Sequence, residues 1–289
     1  MSPVPSPTRS MVWRRWAGGF RVAGVDATPL AGKVIVIVGG TTGMGLSAAH
    51  ACVGAGGRVV VVGRDAKNAE AAGNALGDAG AAVTGDAAEP GTAAAAIERA
   101  VAQFGGFHGM YHVAGGSGRR AGDGPLHEIT DEGWAYTINL NLTSLFNSNR
   151  AAVRQFLRQG TGGSILNMGS VLGYAPSPKY FATHAYAATK AAAIGLTKAA
   201  AAHYAPQNIR VNLIAPALVE TPMSRRAVND DEIMRFVKTK QPLDGGRVGS
   251  GTDLDAAVVY FLSDQSKFVT GQVLGVDGGW SVTEGQYGE

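Results

Sequence analysis

The stretch "KVIVIVGGTTGMGLSAA" (33–49) decides how this chain folds. It opens with an unbroken β-branched run, turns through Gly39, Gly43 and Gly45 in G-x-x-x-G-x-G spacing, and continues into an alanine-rich, helix-forming segment. A strand that is apolar at every position is buried on both faces, as in a parallel sheet. Glycines at these three places let the backbone turn sharply and approach a pyrophosphate at the N-terminus of the next helix. The stretch therefore predicts a first strand, a dinucleotide-binding turn and a first helix.

Outward from it, the same alternation recurs. "RVVVV" (58–62), "AAVTGD" (81–86), "FHGMYHVAGG" (107–116), "GSILNMGS" (163–170), "IRVNLIAP" (209–216) and "GQVLGVDGG" (271–279) read as six more strands. Helix-forming segments separate them, among them a long one over 131–159. Strand–helix alternation at this spacing predicts an α/β fold: a Rossmann-type, doubly wound, seven-stranded parallel sheet with helices on both faces. Residues 31–289 are expected to form one catalytic domain, and 1–30 a disordered or peripheral extension.

Composition narrows the function classes. The chain has 289 residues, 45% of them hydrophobic and 16% charged, as expected of an ordinary globular protein. No apolar run approaches the ~18 residues that a membrane span needs. Cys52 is the single cysteine, so no intrachain disulfide can form, which suits a reducing cytoplasm. The net charge of +3 comes from Arg9, Arg14, Arg15 and Arg21; without those four, the 25 Lys+Arg become 21 against 22 Asp+Glu. A near-neutral body argues against a nucleic-acid partner.

The end of the second strand bears on the cofactor's ribose. An NAD site usually carries an acid there to bond the 2′-hydroxyl. Here Gly63 holds that place and Arg64 follows, a pairing suited to a 2′-phosphate and hence to NADP(H). A shift of one residue would instead give Asp65 an NAD(H)-type role. Asp86, after the third strand, is placed to meet the adenine or to serve as a plain loop residue.

Three tyrosines, Tyr174, Tyr180 and Tyr186, precede Lys190. Only Tyr186 has a lysine four residues on; the corresponding partners of the others are Pro178 and His184. On a helix, positions i and i+4 share a face. A free phenol titrates near pH ~10, and a neighbouring ammonium favours the phenolate.

With the glycine loop, "NLNLTSLFN", "ILNMGS", "YAATK", "RVNLIAPALVETPM" and "TGQVLGVDGG" in that order, the chain resembles the short-chain dehydrogenase/reductase family over about residues 31–280. The resemblance implies that Tyr186 is the general acid/base and that Lys190 lowers its pKa and holds the nicotinamide ribose. It implies that Ser170 bonds the substrate oxygen and that Asn141 kinks its helix and anchors a water leading to Lys190. Thr221 would bond the nicotinamide carboxamide and Val219 offer a backbone contact. Gly39, Thr41, Thr42, Gly43, Met44, Gly45, Arg64, Asp86, Ala87, Ala114, Gly115 and Pro216 would complete the cofactor set with Tyr186 and Lys190. The implied activity is NADP(H)-dependent interconversion of a small-molecule ketone or aldehyde and an alcohol. Alternatives are reduction of an activated C=C or C=N bond, and a non-catalytic nucleotide-sensing regulator. A homotetramer or homodimer assembled through the helices carrying Asn141 and Tyr186 is implied as well.

Several positions depart from the family pattern. "HVAG" replaces "NNAG", putting His112 and Val113 where asparagines are usual; Val38, Gly169 and Ala217 are further departures. Ser170 and Tyr186 stand 16 residues apart, against roughly 13 in the common pattern, a difference a loop absorbs. No metal is expected: His108 and His112 on one strand lie ~13 Å apart. The substrate is expected among residues 115–125, 171–185 and a lid after Pro222. There Tyr174 and Tyr180 would shape the pocket. Met223, Ile233, Met234 and Phe236 would give either lid contacts or packing, and Arg119 and Arg120 either an anion contact or solvated charge.

Overall fold

The computed structural model describes residues 27–287. Most of the expected N-terminal extension, with its four arginines, lies outside the described residues. The packed body begins slightly before residue 31, since Leu30 is fully buried and its N–H donates to the Ala55 carbonyl over 3.0 Å.

All seven predicted strands form: β1 (Val34–Val38), β2 (Arg58–Gly63), β3 (Gly80–Thr84), β4 (Gly109–His112), β5 (Gly163–Met168), β6 (Ile209–Pro216) and β7 (Val273–Val276). They make one parallel sheet in the order β3-β2-β1-β4-β5-β6-β7. Around it lie α1 (Gly43–Gly54), α2 (Ala66–Leu76), α3 (Thr92–Phe104), α4 (Asp131–Ile138), α5 (Ser144–Gln159), α6 (His184–Tyr204), α7 (Arg225–Val228), α8 (Asp231–Lys240) and α9 (Thr252–Leu262).

The two faces explain the unbroken valine runs. Ile35, Ile37, Val59 and Val61 pack against Ala48, Cys52, Leu254 and Val258 of α1 and α9. The alternate residues Val34, Val36, Val60 and Val62 pack on the other face against Ala96, Ile97 and Phe156 of α3 and α5. Both sets of side chains on β1 and β2 thus leave water, which is why no polar alternation appears. Buried amides join the inner elements: Asn149 donates to Asn167 over 2.8 Å, and Asn167 donates to Thr197 over 3.0 Å, tying α5, β5 and α6. Such groups are tolerated inside only when paired in this way.

The segment 131–159 that reads as one helix is interrupted. Residues Asn139–Thr143 form a π-helical turn between α4 and α5, with Asn141 in its middle. Extra-residue turns of this kind are rare and concentrate at functional sites.

A separate apolar cluster underlies the lid: Val171, Tyr180, Ile233, Phe236, Val237 and Trp280. Residues 280–287 lie along α8 like a strap. Tyr287 stacks on Phe236 with ring centroids 4.8 Å apart, Thr283 Oγ1 donates to the Lys240 carbonyl over 2.6 Å, and Trp280 Nε1 donates to the Ala175 carbonyl over 3.1 Å. Among the described residues, no helix is long and apolar enough to cross a membrane.

Candidate active site

β1 and β4 are neighbours, yet α1 and α5 leave them for opposite faces, and the loops that follow the two strands open a crevice between them. The glycine loop forms one wall. Gly39 has φ +90°, and a Cβ on it would press into the Ala114 backbone. A Cβ on Gly45 would run into the Gly39 carbonyl, so α1 can approach β1 only without one. Thr42 caps α1 without a side-chain bond, and the first turn holds no acid. The N–H groups of that turn and the positive end of the helix are thus presented without a protein anion, a cradle that fits a dinucleotide pyrophosphate. Thr221 faces this loop, its Cγ2 3.7 Å from where a Gly43 side chain would begin. Val219 bridges to Gly249, and Pro216 ends β6 just before it.

At the ribose end, a side chain at Gly63 would overlap the buried Thr41. No acid can therefore occupy that position. Asp65 is engaged elsewhere: its carboxylate accepts from the Asn68 N–H over 2.8 Å and caps α2. Arg64 is exposed, its Nη1 3.9 Å from Asp86 Oδ2. Asp86 itself accepts from the Ala88 N–H over 2.9 Å, while Asn147 of α5 donates to the Ala88 carbonyl over 2.7 Å and fixes the loop holding Ala87.

The four catalytic candidates come together around the end of β5. Ser170 lies beside Tyr186, where its side chain favours the phenolate, and its Oγ accepts from the Leu172 N–H over 3.2 Å. Lys190 Nζ lies 5.4 Å from the centre of the Tyr186 ring and donates to the Met168 carbonyl over 3.0 Å. Asn141 clamps Gly116, accepting from its N–H over 3.0 Å and donating to its carbonyl over 2.9 Å. The same amide donates to the Thr137 carbonyl over 3.0 Å, taking a helical acceptor that the π-turn frees. Gly115 sits between the two, in reach of both Asn141 Oδ1 and Lys190 Nζ.

Burial governs the titration of this pair. The Tyr186 residue keeps part of its surface open, but its phenol group is enclosed and is pushed up to about 12, with Ser170 opposing. Lys190 is pushed down to about 8, again by burial. Burial, not the expected lowering by the ammonium, sets the direction for the phenol here, because the enclosed site disfavours both charged forms.

The departures from the family pattern have local explanations. His112 is fully enclosed and driven down to about 3, by burial first and the Lys190 charge second. Its neutral ring pairs with Ser148 at 2.9 Å and fastens β4 to α5. His108 Nδ1 accepts from the Val34 N–H over 3.0 Å, a structural bond to β1. No group of metal-ligating side chains occurs among the described residues.

Around the substrate region the picture is mixed. Met223 reaches the 115–118 loop, where its sulfur accepts from the Ser117 N–H over 3.1 Å. Ile233 and Phe236 are packing residues beneath the lid. Tyr180 also belongs to that cluster and bonds Glu232 over 2.8 Å, so it anchors the lid rather than lining a pocket. Tyr174 sits by Ser281 and β7. Arg119 and Arg120 are exposed; burial and then Arg226 hold Arg119 below the usual guanidinium range, with Asp123 opposing. The sequence reading missed Asp123, which is nearly fully buried beside Tyr186.

The profile of a family described as enoyl-(acyl carrier protein) reductase matches residues 38–281. The 3-alpha-(or 20-beta)-hydroxysteroid dehydrogenase of Mycobacterium bovis is 36% identical over 250 residues, covering 86% of this chain and 90% of that protein. A short-chain type dehydrogenase/reductase from Mycobacterium ulcerans superposes with a TM-score of 0.81 at 29% identity, over 89% of this chain and 92% of that one. A gluconate 5-dehydrogenase from Burkholderia cenocepacia J2315, solved with NADP and tartrate, gives 0.80 at 31% identity, over 88% and 97%.

Because the folded value of Lys190, about 8, lies below the ordinary 10.5, burying its charge costs stability below pH 8, and the cost fades as pH rises towards 10.5. Lys190→Met should lose activity yet unfold later than the wild type at pH 7, by about 1–3 kcal/mol. Denaturant titrations of both proteins at pH 7 and pH 10 check this; the gap should narrow at the higher pH.

Proposed function

The chain belongs to the short-chain dehydrogenase/reductase family, and we propose that it is an NADP(H)-dependent oxidoreductase that interconverts a small-molecule ketone or aldehyde and its alcohol, with Tyr186 as general acid/base. The observation that carries the reading is Tyr186 with the buried Lys190 Nζ 5.4 Å from its ring centre and Ser170 at its side.

When bound, the nicotinamide cofactor supplies or takes up the hydride. The protein's part is to hold an oxygen and move a proton. Ser170 donates to the substrate oxygen and, with Tyr186, marks where negative charge develops. A phenol pushed up to about 12 is protonated at neutral pH, so Tyr186 stands ready to give its proton to that oxygen during reduction. Oxidation runs the step backwards and needs the phenolate, which a nearby cation favours. Lys190 would hold the ribose hydroxyls, while Asn141 fixes the neighbouring loop at Gly116.

Three observations support NADP(H) over NAD(H). Thr41 leaves no room for an acid at position 63, Asp65 is committed to capping α2, and Arg64 is exposed at the same end. The gluconate 5-dehydrogenase of similar structure was solved with NADP. One observation favours reduction of an activated C=C bond: the matching family profile is described as an enoyl reductase. The paired Ser170 and Tyr186 hydroxyls suit a carbonyl oxygen better. A purely regulatory role would not require the intact Tyr–Lys pair.

Assembly as a homotetramer is supported by exposed apolar side chains at two places. Trp134, Tyr136, Phe146 and Leu157 are exposed on α4 and α5, and Tyr260, Phe268 and Leu274 lie exposed on α9, the turn after it and edge strand β7. A dimer would cover only one of them. Cys52 is the single cysteine, so no intrachain disulfide can form, which suits a cytoplasmic setting.

In a panel of ketones, aldehydes and alcohols, Tyr186→Phe should lower kcat by about a hundredfold or more. Wild-type oxidation should quicken from pH 7 to pH 10 while reduction does not. Full turnover by the variant would overturn the mechanism. Arg64→Ala should weaken NADPH, but not NADH, by about tenfold in KM, the scale of one charge-assisted bond; equal effects on both would refute the 2′-phosphate role. Light scattering should give the mass of four chains, and a monomer would contradict the assembly.

A further inference from the structure

Helix α6 carries both Tyr186 and Lys190, yet it does not cap itself. Its N-cap, Thr183, has φ −112° and ψ 88° and makes no side-chain cap bond, and the first turn contains no acid. The first-turn N–H groups are nevertheless taken by one distant loop. Asp123 Oδ1 accepts from Ala185 N–H over 3.0 Å, Asp123 Oδ2 accepts from Tyr186 N–H over 2.9 Å, and the Gly124 carbonyl accepts from His184 N–H over 3.1 Å. Asp123 is 3% exposed, so the carboxylate makes these bonds out of water.

We propose that Asp123 is a positioning residue for the reaction: its carboxylate fixes the backbone of Tyr186 and locks the catalytic helix to the loop that Asn141 clamps. The proposal rests on Tyr186 being the proton donor. A carboxylate offers two acceptor oxygens to two N–H groups, and a charged acceptor at a helix N-terminus bonds more strongly than a neutral one. An asparagine would turn an NH2 group against one of those N–H groups, and an alanine would leave both unpaired.

The other end of the same loop is equally constrained. Gly116 is held by Asn141 through both its N–H and its carbonyl. Between the two anchors, Gly118 packs against Thr137 and Gly122 accepts from Thr130 N–H over 3.3 Å. Residues 116–124 are thus a brace with the π-turn at one end and Tyr186 at the other. They set where the proton donor stands relative to Asn141 and Gly115, next to Lys190. Displacement of a reacting group by about 1 Å can cost about a hundredfold in rate.

Asp123→Asn should lower kcat about tenfold and Asp123→Ala about tenfold to a hundredfold, with KM for NADPH and its binding by fluorescence titration changed less than about twofold. The readout specific to positioning is coupling. In the Tyr186→Phe background, Asp123→Asn should cost almost nothing further, because residues acting as a unit are non-additive. Multiplying losses in the double variant, or a loss carried by weaker NADPH binding, would overturn the proposal. Should the alanine variant fail to fold, the asparagine variant carries both measurements. Full activity of Tyr186→Phe alone would sink the proton-donor reading itself, which is a separate result from either outcome for Asp123.

Discussion

The molecule depends on the parallel pairing of β1 and β4. Their registers, Ile35 with Gly109 through Val38 with His112, bring two strand ends level while the chain leaves them towards opposite faces. A parallel sheet covered on both sides has no other place where its polar loops can diverge. The glycine loop, the 114–116 segment and, one strand over, Ser170 all open onto that edge. Glycine at 39 and 45 is a consequence of how closely α1 must then pack on the strand ends. The crevice is the cost-free by-product of the sheet's winding.

Within the crevice the chemistry is a balance between enclosure and charge. Shutting the phenol and the ammonium away from water drives the former up to about 12 and the latter down to about 8, so each charge becomes harder to make. The same enclosure strengthens every hydrogen bond that can be made there. Residues around the pair answer with hydrogen bonds of their own: Asn141 uses both donor and acceptor, His112 is neutral and bonded to Ser148, and Lys190 donates to the Met168 carbonyl. Departures such as "HVAG" fit this logic, since a neutral imidazole can replace an amide as a fastener between β4 and α5.

Much of the fold was legible because burial on two faces leaves unbroken apolar runs in β1, β2 and β6, while the edge strands β3 and β7, only partly buried, were legible from their place in the strand–helix alternation. Tyr186 and Lys190 were legible because a helix places i and i+4 together. What escaped the sequence are features made by distant partners. Nothing in "GDGP" marks Asp123 as the cap of a helix that starts sixty-one residues later. The interruption at Asn139–Thr143 was legible only through the resemblance, which has Asn141 kink its helix; its physical setting, the Asn141 amide holding both backbone groups of Gly116, comes from a distant loop. Tyr180 looked like a pocket residue from its neighbours in the chain. It lies instead in an aromatic cluster built by Phe236, Trp280 and Tyr287.

That cluster bears on the order in which the enzyme can be completed. α8 leaves the ribosome before residues 280–287, so Phe236 has to wait for Trp280 and Tyr287 to cover it. The sheet through β6 and the crevice can already be shaped by then, whereas the lid cannot settle. Vectorial synthesis thus delivers last the segment that fastens α8.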